Sequence, residues 1–208
     1  MDKTSKIIDV LKKYVPEGTE DYLYSLFKTY PVKFKIVSPR RSKLGDFRSP
    51  IGAEKPQITI NGDLNKYSFL VTTVHEFAHL KTWMEHKNQV KPHGIEWKQN
   101  FVDLMFPIIQ KGLLPRDVEQ GLLNSFMNMK ASSCTDVQLH RVLKQYDELG
   151  PNQFLLEKLP KYATFALESK IFQKGDLRRT RYLCTEVRTN RKFLINKLAV
   201  VEQVNYDK

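Results

Sequence analysis

Residues 66–85 read Lys-Tyr-Ser-Phe-Leu-Val-Thr-Thr-Val-His-Glu-Phe-Ala-His-Leu-Lys-Thr-Trp-Met-Glu. Leu70, Val71, Val74, Phe77, Ala78 and Trp83 recur at helical spacing, which predicts a helix from about Lys66 to about Glu85 with these residues on its core side. Residues four apart on a helix share a face, with Cβ atoms about 5–6 Å apart. That brings His75 and His79 together, and two imidazoles so placed can close on one metal ion at about 2.0–2.1 Å. Glu76 stands one residue round from His75, near the metal without being forced to bind it. A carboxylate in that position is what a metal-dependent hydrolase needs as its base.

A third ligand must come from outside this helix. His86 would lie about 16 Å further along the axis than His75, too far to share a metal, and reads as solvated surface. His93 follows a polar break at 86–92 and opens a new helix that can fold back on the first, so it is the first choice. Glu96, one turn later, is the alternative, as a ligand or as an acceptor for an imidazole N–H. His140 falls on a distant helix and is predicted to be structural. Three protein ligands leave zinc a fourth position for water, the mark of a catalytic rather than a structural site. Structural zinc usually recruits cysteine, but Cys134 and Cys184 are far apart and neither belongs to a C-x-x-C pair. They read as two separate buried thiols.

Working outward, residues 3–14 predict a helix that stops before Pro16. Thr19 is a candidate N-cap for a second helix that buries Tyr22, Leu23, Leu26 and Phe27 and ends at Pro31. Residues 32–38 alternate apolar and polar side chains, a half-buried strand with Lys33 and Lys35 outward. A basic loop follows over 39–48, then a second strand near Gln57–Ile60 ended by Asn61-Gly62-Asp63. An exposed strand edge just before such a helix can take an extended substrate by strand addition. Downstream, one helix carries Ile95, Trp97, Phe101, Leu104 and Met105. Another starts at Pro115 with Val118, Leu122 and Phe126. A last one, capped by Ser133 or Thr135, buries Leu139, Val142, Leu143 and Tyr146. Gly150-Pro151 marks a shift to strand-like runs at about 163–172, 179–188 and 191–204, with a turn at Thr189-Asn190. The expected organisation is therefore a first domain over 1–150 and a small basic β-rich module over 151–208.

The net charge of +11 is unevenly spread. Residues 28–55 hold eight Lys/Arg against two acids, and residues 151–208 hold twelve against six, while the block 56–150 is balanced at ten against ten. Basic segments of this kind suit a phosphate backbone. Arg40, Arg41, Lys43, Arg178, Arg179 and Arg181 are the candidate nucleic-acid contacts. Tyr182 and Phe193 are candidates for base stacking, with a core role the stronger reading for each. No apolar run approaches the ~20 residues of a membrane span. The N-terminal stretch is amphipathic rather than a signal-peptide core, so a cytoplasmic location is expected.

His75-Glu76-x-x-His79, a spacer, and then His93-Gly94-x-Glu96-Trp97 resemble the SprT-like metallopeptidases, a family that includes the eukaryotic DNA–protein crosslink protease Spartan. The resemblance covers roughly residues 20–110. It implies an α+β fold with a zincin-like helical domain and a short sheet. It also implies one Zn2+ per chain on His75, His79 and His93, with Glu76 as catalytic acid/base. For some members it implies proteolysis of DNA-associated proteins. Bacterial members commonly carry a C-terminal four-cysteine zinc ribbon, whereas this chain has only Cys184 in the corresponding region. The expected function is a zinc metallopeptidase acting on a protein or peptide substrate. The alternative is a non-enzymatic metal-containing protein that binds nucleic acid or protein.

Overall fold

Lys33–Val37 (β1) turns Lys33 and Lys35 to solvent while Phe34 and Ile36 pack on the core, as its alternation predicts. It pairs in parallel with Gln57–Asn61 (β3), the central strand, in which Ile58 and Ile60 are fully buried. The other side of β3 carries an antiparallel strand, Gly45–Arg48 (β2), which gives a sheet of order β1-β3-β2. The computed structural model of the chain describes residues 3–40, 42–52, 54–127 and 136–204. It divides into two compact units, Met1–Asp147 and Glu148–Lys208. Among the described residues the architecture is mixed α+β, and no helix is long and apolar enough to cross a membrane.

In the first unit the helices are Lys3–Tyr14 (α1), Glu20–Thr29 (α2), Lys66–His86 (α3), Ile95–Gln110 (α4), Arg116–Met127 (α5) and Val137–Lys144 (α6). Helix α3 is the axis of the core. Phe69, Leu70, Val74, Phe77, Ala78 and Leu80 are all fully buried, on more than one face, so α3 is enclosed rather than amphipathic. Phe77 meets Phe27 of α2 edge-on at 5.3 Å, and Tyr14 of α1 stacks on Phe69 at 5.0 Å. Such enclosure holds the middle turns of α3 still, which is where the two histidines stand.

Asn65 starts α3. Its side-chain oxygen accepts from the N–H groups of Tyr67 and Ser68 at 3.1 and 3.0 Å, the N-cap arrangement. Its amide donates to the Leu143 carbonyl at 3.0 Å and to the Asp147 carboxylate, which ties α3 to the end of α6. We expect Asn65→Ala to destabilise this unit by about 2 kcal/mol, from the lost cap and the unpaired carbonyl together. Urea unfolding followed by tryptophan fluorescence checks it.

Several local expectations need correction. Residues 45–48 are a strand rather than part of a basic loop, because pairing with β3 supplies what weak strand propensity does not. Thr19 precedes α2, but its backbone is helical and its hydroxyl donates to the Pro16 carbonyl, so it caps nothing. Ser133 and Thr135 lie outside the described residues; Asp136 caps α6, accepting from Gln138 and Leu139. Ile95 is 71% exposed, since the first turn of α4 turns Trp97 inward instead.

The second unit is an antiparallel sheet of seven strands over a small core of Leu156, Leu159, Phe165, Phe172, Cys184, Ile195 and Val201. Its strands are Gln153–Leu155 (β4), Thr164–Leu167 (β5), Lys170–Gln173 (β6), Leu177–Arg178 (β7), Arg181–Glu186 (β8), Lys192–Asn196 (β9) and Val200–Gln203 (β10). The run expected at 163–172 is two strands around a tight turn, with Glu168 at φ 58°. The run at 191–204 breaks after Asn196, whose side chain accepts from Leu198 N–H. The turn at Thr189-Asn190 is present, with Asn190 at φ 59°. Lys174 is buried; its ammonium donates to the Leu159 carbonyl and lies 4.0 Å from the Tyr182 ring centroid. Tyr182 and Phe193 pack against this core.

Candidate metal centre

His75, Glu76 and His79 occupy the enclosed middle of α3. The helix ends at His86, and the chain turns back through 87–92 to His93, immediately before α4. Gly94, at the N-cap of α4, is required there. A Cβ would stand 2.9 Å from the Lys91 carbonyl oxygen and 3.0 Å from a Glu96 carboxylate oxygen. His93 itself is left-handed at φ 59°, a conformation unfavourable for a residue with a Cβ.

The result is convergence. The Nε2 atoms of His75 and His79 are 3.2 Å apart, those of His79 and His93 2.9 Å, and those of His93 and His75 3.2 Å. An ion bound tetrahedrally about 2.0–2.1 Å from each nitrogen sets neighbouring nitrogens about 3.3 Å apart. The three histidines therefore fit a metal ion with little movement. Trp97 forms the wall behind them, its ring 4.5, 5.3 and 4.7 Å from those of His75, His79 and His93. Phe47 of β2 lies parallel to His79 at 6.4 Å.

Electrostatics favours neutral ligands. Burial, then the neighbouring imidazoles, holds His75 well below the ordinary histidine range and His79 at about 3; burial also lowers His93. Neutral imidazole is the ligating form, so the metal need not displace protons at neutral pH. Glu76 is pushed up to about 8, first by burial and then by Asp46, while the Phe47 N–H it accepts from works in the opposite direction. A dication on the histidines would pull this carboxyl back toward the ionised form.

Gly45 sets the position of Glu76. A Cβ there would fall 2.6 Å from Glu76 Oε1 and 2.8 Å from Thr72 Cγ2, so only glycine lets β2 approach the carboxylate so closely. Sequence reading passed over Gly45, because nothing local distinguishes it from a loop glycine. A cleft of about 530 Å³ opens over the site, bordered by Phe47, Glu76, His79, Trp83, His93 and Trp97.

The other candidates divide. Glu96 stands outside the three-histidine group, its carboxylate beside Gly94. His86 ends α3, 3.9 Å from Glu85. His140 is not remote: α6 brings it to a cavity that His75 and Glu76 also line. Arg40 donates to Asn61 Oδ1, Thr59 Oγ1 and the Thr59 carbonyl, so three of its five N–H groups are engaged within the first unit. Lys43 pairs with Asp46 at 2.8 Å, and Arg41 lies outside the described residues. In the second unit Arg178, Arg179 and Arg181 are exposed on the β7–β8 hairpin, with Arg179 in its turn at φ 57°. Compared with protein-family models, with curated proteins and with solved structures, the chain gives no match in any of the three.

Proposed function

We propose that the first unit is a zinc-dependent peptidase of SprT-like, zincin-like type. The observation that carries this reading is the convergence of the three Nε2 atoms beside a buried carboxylate they do not need as a ligand. His75, His79 and His93 would hold the ion, a set of three that leaves a coordination position open. Zinc bound there supplies Lewis acidity, polarising the scissile carbonyl and acidifying water. Glu76 accepts the proton of the attacking water and delivers it to the leaving amine. Trp97 and Phe47 pack their rings against the imidazoles on the wall of the cleft. β2 is a sheet edge, and the Phe47 N–H on its outer side already reaches Glu76. An extended peptide adding to that edge is thereby laid across the motif.

The direct test is degradation of a loosely structured protein such as casein by metal-loaded protein. Activity should vanish with a chelator and return with zinc. Gly45→Ala should keep its metal and lose about a hundredfold in rate, because the new methyl displaces the base rather than the ligands. The same assay run on metal-loaded protein of verified occupancy checks it.

The second reading is a non-enzymatic metal-containing binding protein. The exposed Arg178-Arg179-Thr180-Arg181 hairpin is the observation that favours nucleic acid as a partner under either reading. If it contacts phosphates, DNA affinity should fall steeply with salt. Replacing all three arginines by alanine should reduce the log–log slope by about 2–3. A flat salt response removes DNA from the proposal.

A further inference from the structure

The charges along the cleft over the histidines are unevenly answered. Its acidic groups are Glu76 and Asp46, and the Asp46 carboxylate is already held by Lys43 and Arg48, each at 2.8 Å. Its lysines are Lys87 and Lys91, both exposed on the return from α3 to His93. Among the described residues neither has a carboxylate partner. The return that carries them is braced. Lys87 N–H donates to the Trp83 carbonyl at 2.7 Å, Gln89 N–H to that of His86 at 3.1 Å, and Gly94 N–H to that of Lys91 at 2.9 Å.

Lys87 is strained. It caps the end of α3 at φ 54°, ψ −129°, a left-handed backbone in which glycine would be relaxed. A strained position that keeps a long side chain points to a use for that side chain. The Lys87 ammonium lies over the Trp83 ring, 4.1 Å from its centroid, which fixes the charge beside the cleft. Trp83 is seven residues beyond Glu76, about 10 Å along the helix axis, a distance that an extended peptide covers in about three residues. Two lysines on one rim suit one or two carboxylates, whereas a nucleic-acid strand would carry phosphates past Glu76 itself. We propose, resting on the peptidase reading, that Lys87 and Lys91 receive a carboxylate of an extended peptide in the cleft. The substrate is then an acidic segment, with Asp or Glu about two to four residues from the bond that is cut.

Binding and cleavage test this separately. Calorimetry on zinc-loaded Glu76→Gln uses acetylated, amidated peptides that differ only in carrying a pair of Glu, Gln or Lys. The Glu peptide should bind about fivefold more tightly than the Gln peptide at about 0.05 M salt, with the Lys peptide weakest and most of the ranking gone at about 0.5 M. Adding Lys87→Gly and Lys91→Gln should abolish the ranking. Lys87→Gly should melt no lower than wild type, because relief of the left-handed strain offsets the lost cation–π contact. Lys91→Gln alone should remove about half of the ranking, and it decides the matter if Lys87→Gly melts early. Cleavage of a peptide library by zinc-loaded wild type should show Asp or Glu enriched about fivefold, about two to four residues from the cut on one side. Equal binding of the three peptides, or a ranking that survives the double substitution, overturns the lysine rim; Glu76-dependent cleavage then still stands. A Gln peptide with a free C-terminus that matches the Glu peptide assigns the lysines to a chain end and overturns the acidic segment. An oligothymidylate of equal charge that displaces the Glu peptide at lower concentration overturns it in favour of nucleic acid. Ranked binding without any cleavage by wild type keeps the rim and removes the peptidase reading. Neither ranking nor cleavage removes both.

Discussion

Glu76→Gln should lower peptide hydrolysis by about a hundredfold to ten-thousandfold, the range over which a positioned general base acts, while metal content stays at one ion per chain. The amide is nearly isosteric with the carboxyl and can still meet the Phe47 N–H through its oxygen, so the fold has no reason to change. The variant also isolates a pH effect in metal-free protein. In the folded chain Glu76 is raised from 4.5 to about 8. Between those values the folded state keeps a proton that the unfolded chain has released. Stability therefore falls as pH rises through that window, and the loss is complete above about 8. Glu76→Gln removes that loss, so it should gain on wild type steadily from about pH 5 to pH 8 when both are metal-free. The buried histidines act with the opposite sign at lower pH, since lowered pKa values favour the folded state as pH rises. Both proteins carry them, so the difference reports Glu76. Parallel urea titrations across pH, after chelation, measure it.

The parts of this site legible in the sequence are those set by local periodicity. His75 and His79 meet because helix geometry requires it, and apolar residues recurring at helical spacing make the helix readable; the Asn65 cap that starts it is seen only in the structure. His93 was reachable because a polar break lets the chain double back. The parts that were hidden depend on pairing across long separations. β2 shows no apolar alternation; it is a strand because β3 offers it partners, and only that pairing brings Gly45 against Glu76. His140 looked remote because sequence distance says nothing of how α6 packs on α3. Arg40 looked like a surface cation, yet its five donors suit Asn61 and Thr59 of the central strand as well as they suit phosphate. In the second unit, Val, Ile and Phe made long strands plausible at 163–172 and 191–204. Left-handed Glu168 and the Asn196 side-chain turn cut them short; Glu gives no sign of that role, and the turn tendency of Asn196 is masked by the apolar run around it.

His93→Ala should lower zinc content from one ion per chain to a trace after dialysis, because two imidazoles on one helix hold an ion far less well than three. The stability consequence follows by linkage. An ion present at a hundred times its dissociation constant stabilises the folded state by about 2.7 kcal/mol. That corresponds to a rise in melting temperature of roughly 5–10 °C for a unit of this size, expected in wild type and absent in His93→Ala. The chain's two tryptophans, Trp83 and Trp97, both border the cleft, so fluorescence melts report this unit alone. His93→Gly adds a further distinction. His93 is held at φ 59°, where alanine is strained and glycine is not. Without metal, His93→Gly should therefore be more stable than His93→Ala by about 1 kcal/mol, although both lack the ligand. Equal metal-free stability of the two variants would mean that the chain leaves the left-handed conformation when the imidazole is gone. The turn would then be held by the metal ligand rather than by Gly94 and the start of α4, and the site would not be built before its ion arrives.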